Sequence, residues 1–271
     1  MDKNSINTSD AMQGLLDIMA QLRNPDGGCP WDLKQDFRSI LPHTLEEAYE
    51  VADAIESDDR MQLRDELGDL LFQVVFYCQL AREEGSFEFK DVAQAMAGKL
   101  IRRHPHVFGD RANSAMAMDS DQVLKRWEVI KQEEREAKQQ YSVLDDVPNA
   151  LPAMQRSAKL QKRAANVGFD WPNPAPVLAN MAEELEEVQQ AFVSGDKAHT
   201  LEELGDLMFA CVNMARHLKQ DPEQVMRAAN AKFERRFRFL EAKLLAAGEE
   251  LENVSLERMD AGWNEAKEQG L

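Results

Sequence analysis

The chain has 271 residues, 44% of them hydrophobic and 7% aromatic, with 49 acidic residues against 32 basic and a formal net charge of −17. That length allows one large domain or two ordinary ones, each with a real core. The aromatic-poor composition favours helices over a β-sandwich, and the charge argues against sequence-independent binding to a nucleic-acid polymer. Met1 to Asp10 is polar, with no apolar signal-peptide core. The longest apolar run, Leu70 to Ala81, is interrupted by Gln73 and Gln79 and is too short to span a bilayer. Cys29, Cys78 and Cys211 are too scattered for a disulfide framework or a zinc site. A cytoplasmic setting without a membrane partner is therefore expected.

In chain order, the first strong helical pattern runs over Leu45 to Ile55, with apolar residues at Leu45, Ala48, Tyr49, Ala52 and Ile55. Asp58 and Asp59 mark a short break, and a second helical pattern follows over Leu63 to Ala81. Two helices joined by so short a turn pack antiparallel. Lys99, Arg102 and Arg103 form a basic cluster, after which Pro105 should end its helix. The chain then repeats itself. Glu47, Glu50, Glu66 and Asp69 map onto Glu184, Glu187, Glu203 and Asp206, each displaced by 137 positions. Lys232, Arg235 and Arg236 answer the first basic cluster, and Ser194-Gly195-Asp196 answers the break. Trp127 and Lys131 match Trp263 and Lys267 in a W-x-x-x-K pattern, and Gly28-Cys-Pro-Trp31 matches Gly168-Phe-Asp-Trp171. The fold class expected is all-α, two tandem helical-bundle domains over residues 1–136 and 151–271, with 137–150 as linker. The charged stretch Lys131 to Gln140 has no apolar stripe, and Pro148 and Pro152 punctuate the second start.

The acids are spaced i, i+3 within each pair, so each pair shares a helix face. In an antiparallel hairpin the two pairs converge. Four carboxylates so close repel one another, and a divalent cation relieves that repulsion. All-oxygen ligation selects a hard ion, Mg²⁺ first and Mn²⁺ second. The bland alternative for any single Glu is capping: Thr44-x-x-Glu47 fits a capping box, and Asn180 is placed to cap the second copy. Capping does not account for Glu50, Glu66 or Asp69, nor for the same four acids recurring at the same separations. Gly68 and Gly205, each between two acids, suggest close approach of a neighbouring helix or a ligand. A basic cluster beside a metal suits a polyphosphate, and Trp127 or Trp263 could stack on a base.

Glu-Glu-x-x-Glu, a spacer and Glu-x-x-Asp resemble the signature of the all-α nucleoside triphosphate pyrophosphohydrolases. The two copies, with Gly-Cys-Pro-Trp-Asp at 28–32, Glu-Leu-Gly-Asp-Leu-Leu-Phe at 66–72, Arg-Arg-His-Pro-His-Val-Phe at 102–108, Asn-Val-Gly-Phe-Asp-Trp at 166–171 and Lys-Phe-Glu-Arg-Arg-Phe at 232–237, resemble the two-domain MazG family. The resemblance implies Mg²⁺-dependent hydrolysis of NTPs or dNTPs to the monophosphate and pyrophosphate. It implies Glu184, Glu187, Glu203 and Asp206 as metal ligands, with Glu47, Glu50, Glu66 and Asp69 as their first-copy counterparts. Lys232, Arg236 and Trp263 would contact the nucleotide, with Arg235 in the same cluster, and a homodimer would complete the site. Glu183, four residues before Glu187, is a candidate to orient water, as Glu46 is in the first copy. The second copy is the stronger candidate for activity, because its basic cluster continues through Arg238 without a Pro.

Two rival readings differ in class, and a third is a narrower enzyme of the same class. A carboxylate-bridged di-iron oxidoreductase would use Glu-x-x-His pairs, and none of the five histidines has a Glu three positions before it. A nucleotide-binding regulatory module would keep the acids without cleaving. A dUTP- or phosphoribosyl-ATP-directed pyrophosphohydrolase would share the metal motif but not the two-copy arrangement.

Overall fold

The structure is a computed structural model describing residues 7–108 and 139–271, together with residues 123, 126, 127, 129, 130 and 133–135. Lys131 and part of the stretch expected to contain the boundary lie outside the described residues. The chain divides into two compact units, Met1–Trp127 and Glu128–Leu271. Among the described residues every regular element is a helix, and none is long and apolar enough to cross a membrane.

The first unit contains α1 (Thr8–Leu22), a 3₁₀ turn at Asp32–Lys34, α2 (Phe37–Glu56), α3 (Arg60–Glu83), α4 (Phe89–Arg103) and the single turn α5 (Pro105–Phe108). Helix α2 starts at a capping box in which Asp36 accepts from the Ser39 amide and Ser39 Oγ accepts from the Asp36 amide. It ends at Ser57. Asp58 takes a left-handed φ of +57°, and Asp59 then caps α3. That three-residue link lays α2 along α3. Met19, Ile40, Val75, Phe76 and Leu80 form the buried core between α1, α2 and α3. Arg23 is buried beside it. It pairs with Glu83 at 2.6 Å, donates to the Gln35 carbonyl and lies 5.3 Å from the Phe76 ring centre. A buried guanidinium needs such partners, because an unpaired charge in the interior is strongly destabilising. Helix α4 stops at Arg103, directly before Pro105, as the missing proline N–H requires.

The second unit contains α6 (Ala153–Ala165), α7 (Pro174–Ser194), α8 (Lys197–His217), α9 (Pro222–Ala246), a 3₁₀ turn at Leu251–Asn253 and α10 (Leu256–Glu268). Asn173, Asp196, Asp221 and Ser255 cap α7 to α10 through their side chains. Gly195 ends α7 in the left-handed region at φ +76°, a conformation without penalty only for glycine. Helices α7 and α8 form the second hairpin. Helix α10 packs tightly on α9: a Cβ at Gly262 would stand 2.5 Å from Leu240 Cδ1. Helix α9 runs past Arg236 to Ala246, whereas α4 ends at the matching Arg103.

Candidate metal and nucleotide site

The two hairpins bring the expected acids together. In the first unit, carboxylate oxygens of Glu47 on α2 and of Glu66 and Asp69 on α3 lie within 4.8 Å of one another. Glu50 adds its charge to the same group. In the second unit, Glu184 and Glu187 on α7 and Glu203 on α8 lie within 4.8 Å of one another, and Asp206 adds its charge to the same group. The electrostatic signature is the same in both. Partial burial, followed by the charges of Asp69, Glu50 and Glu66, raises the Glu47 carboxyl above its ordinary value. Glu187 is exposed, yet desolvation by its surroundings, followed by the charges of Glu203, Glu184, Glu183 and Asp206, raises it likewise. Glu183 thus stands close enough to act on the cluster. Glu46 pairs with His43 at 3.5 Å.

The capping alternative fails for a structural reason. Thr44 is not at a helix start: α2 begins at Phe37, and the Thr44 hydroxyl reaches the Ile40 carbonyl and the Tyr77 hydroxyl. Asn180 lies inside α7, where it donates to Glu184 at 2.9 Å. Within a helix the backbone amides are already bonded, so neither Glu47 nor Glu183, the acid three residues after Asn180, has an amide to cap. The expectation of a close helix at Gly68 and Gly205 is also corrected: among the described residues, a Cβ at either would meet nothing within 4 Å beyond its own helix backbone.

The basic clusters take a different place. Arg236 donates to the Leu271 carbonyl at 2.7 Å and lies 5.7 Å from the Trp263 ring centre, and Phe233 packs on that Trp at 5.2 Å. Lys232 and Arg235 are exposed. In the first unit Trp127 donates to the Arg103 carbonyl at 2.8 Å and packs edge-on against His104. Each tryptophan therefore sits against the basic cluster of its own copy. A cavity of about 590 Å³ borders the second acidic cluster, with Glu184 and Asp206 in its wall. Among the described residues, Lys232, Arg235, Arg236 and Trp263 are not part of that wall.

The MazG nucleotide pyrophosphohydrolase domain matches this sequence twice, over residues 35–108 and 173–238. Each match contains one acidic hairpin and one basic cluster. The chain belongs to the MazG family. It is 54% identical over 261 residues to the nucleoside triphosphate pyrophosphohydrolase of Escherichia coli K12, covering 95% of this chain and 97% of that protein. It is 40% identical over 253 residues to the nucleoside triphosphate pyrophosphohydrolase/pyrophosphatase MazG of Thermotoga maritima, covering 93% and 94%. A third relative, the nucleoside triphosphate pyrophosphohydrolase of Mycobacterium tuberculosis, is 36% identical over 60% of this chain. Family membership places the chain among the hydrolases.

The two MazG copies differ beside their acids. The position that holds Asn213 in the second copy holds Phe76 in the first, and Ala210 corresponds to Gln73. Phe76 is fully buried in the first core, whereas Asn213 and Ala210 line the second copy's cavity. Sequence reasoning missed several residues of this MazG site. His199 lies 3.2 Å from Glu203, an i, i+4 pair that helical spacing could have disclosed. Asp170 receives Arg216 bidentately and His217 at 3.1 Å, which holds its carboxyl down to about 2. The partners of that network are 46 residues apart, so no local pattern announces it.

Proposed function

We propose that this protein hydrolyses nucleoside and deoxynucleoside triphosphates to the monophosphate and pyrophosphate with Mg²⁺, or secondarily Mn²⁺, and that the second copy does so. The observation that carries this reading is the convergence of Glu184, Glu187 and Glu203, with Asp206 beside them, into an all-oxygen cluster whose Glu187 is pushed towards protonation. Such a cluster fits a hard divalent cation, because ligation removes the repulsion that the protein alone leaves in place. The activity that the Escherichia coli and Thermotoga maritima relatives are named for agrees with it.

A bound magnesium ion supplies neutralisation of phosphate charge and a lower pKa for water. The chain's own residues do the rest. Glu184, Glu187, Glu203 and Asp206 hold the ion, and Asn180 fixes the orientation of Glu184. Glu183 orients the attacking water as a base. Lys232, Arg235 and Arg236 grip phosphate oxygens, with Trp263 supporting Arg236 from its ring face. The first copy keeps its four acids but buries Phe76 where the second keeps Asn213. This favours binding without turnover there.

Because the basic cluster does not line the cavity of its own chain, the same cluster on a second copy of the chain is the natural source of that half of the site. Leu178, Leu185 and Phe192 on α7 and Leu201, Leu204 and Met208 on α8 are exposed. Apolar rows at this spacing mark a helix-pairing surface. A homodimer covering these rows is therefore part of the proposal. Light scattering should give a dimer mass, shifting to monomer with Phe192→Glu plus Leu201→Glu. A monomeric wild-type protein would remove this part. A cytoplasmic location also belongs to the proposal, supported by three unpaired cysteines.

The test is incubation of purified protein with a panel of NTPs and dNTPs plus Mg²⁺. Pyrophosphate and monophosphate should appear in equal amounts and cease with a chelator. Release of orthophosphate alone, or no turnover, would overturn the proposal.

A further inference from the structure

Each acidic cluster has two polar neighbours one helical turn before its acids. His43 and Asn180 stand four residues before Glu47 and Glu184, and Gln62 and His199 stand four residues before Glu66 and Glu203. Residues four apart share a helix face, so each of these side chains can reach its acid. On the later helix of each hairpin both do so. Gln62 Nε2 donates to Glu66 at 3.4 Å, and His199 Nδ1 lies 3.2 Å from Glu203. On the earlier helix the copies diverge. Asn180 Nδ2 donates to Glu184 Oε1 at 2.9 Å. His43, in the same place, engages Glu46 instead, with Nδ1 3.5 Å from that carboxylate.

The difference falls on the first acid of each cluster. A glutamate side chain has several rotatable bonds, and a cation must gather it from all their settings unless a hydrogen bond has already selected one. Asn180 makes that selection for Glu184 before any ion arrives. Glu47 receives no such bond from His43. The charges that act on Glu47 are those of Asp69, Glu50 and Glu66, which repel it rather than fix it. The His43 and Glu46 side chains are 46% and 63% exposed, so their pairing contributes little to folding. Its consequence lies in what His43 leaves undone at Glu47.

We infer that Asn180 is a positioning residue for Glu184, and that His43 in its place makes the first cluster the weaker of two cation sites in one chain. The inference rests on the proposed function in one respect, since it takes both clusters as cation sites. It goes further by ranking them. When the divalent cation is limiting, the second cluster fills first, and the residue four places before its first acid sets that order.

The test is a Mn²⁺ titration of the full-length protein without nucleotide, read by the electron paramagnetic resonance of the free ion. The wild-type protein should show two sites about tenfold apart in affinity, the scale on which losing the partner of a metal ligand acts. Glu203→Gln should remove the tighter site and Glu66→Gln the weaker. Asn180→Leu should weaken the tighter site about tenfold and leave the weaker one unchanged. Asn180→Gln restores an amide donor and should recover the tighter site, since Gln62 shows that a glutamine at this spacing reaches its acid. His43→Asn should tighten the weaker site. Equal wild-type affinities would overturn the inference, as would an Asn180→Leu protein that keeps its tighter site. If that variant does not fold, His43→Asn decides, and an unmoved weaker site would then overturn the inference. The two readings fail separately. The expected affinities without turnover of any triphosphate would sink the hydrolase reading only, whereas turnover with unmoved affinities would sink this one only.

Discussion

Replacing Glu203 by Gln should lower pyrophosphate release by about 10²–10³-fold, the scale on which losing one preorganised electrostatic group acts, while Glu66→Gln should leave most activity in place. The substitution keeps the shape of the side chain and its ability to accept from His199, but removes one of three carboxylates that lie within 4.8 Å. Cation affinity falls with the charge, so the apparent Mg²⁺ requirement should rise before the maximal rate is affected. Glu66 occupies the same place in the first copy, where a buried Phe76 takes the position of Asn213. Steady-state rates across a Mg²⁺ titration measure both variants. The reverse pattern, with Glu66→Gln inactive and Glu203→Gln active, would move the active site to the first unit.

Glu187→Gln should raise the melting temperature in the presence of a chelator and abolish the stabilisation that Mg²⁺ gives the wild-type protein. Glu187 is raised by desolvation and by four neighbouring carboxylates, Glu203, Glu184, Glu183 and Asp206. A carboxyl raised in the folded state binds its proton more tightly folded than unfolded. Its ionised form therefore weakens the fold at neutral pH, and that penalty disappears as pH falls through the raised value. The metal-free wild-type protein should accordingly gain stability on mild acidification from neutrality. Glu187→Gln should flatten that gain. Added Mg²⁺ should reproduce it at neutral pH, because a ligand that binds only the folded state stabilises by mass action. Thermal melts over a pH series, with chelator and with Mg²⁺, check all three. A Glu187→Gln protein that melts lower under chelator would contradict the repulsion on which the site is built.

What was legible in the sequence is what periodicity carries. The pairs Glu47/Glu50 and Glu66/Asp69 each share a helix face by spacing alone, and the 137-residue displacement makes the same statement twice. The helix ends were less visible. Asp36 and Ser39 start α2 with a box that lacks the usual Glu, and Pro42 stands within the helix rather than before it. The start therefore reads too late, and Thr44 takes on a capping role that the fold denies. The cavity was invisible for another reason. Whether Asn213 lines a space or fills one depends on what α6 and residues 169–171 place opposite it, and no local pattern encodes that. Gln161 reads as an ordinary polar helix residue until its Nε2 is found on the Phe209 carbonyl. The basic cluster lies between these cases. Its existence is plain from Lys232, Arg235 and Arg236, but its separation from the cavity wall appears only in three dimensions.

The exchange of Phe76 for Asn213 also bears on how the chain survives carrying a hollow. Interiors are normally close-packed, and space left beside repelling acids weakens the half that contains it. A single copy would have to reconcile a filled interior with an open one. Duplication separates the two demands at this position: one half fills it with a buried aromatic ring, while the other leaves it open to the cavity. Heating should then not be a single all-or-none event, because two differently packed halves can open separately. Occupancy of the hollow would close the gap between the two transitions, and their separation along the temperature axis would report how full the second half is.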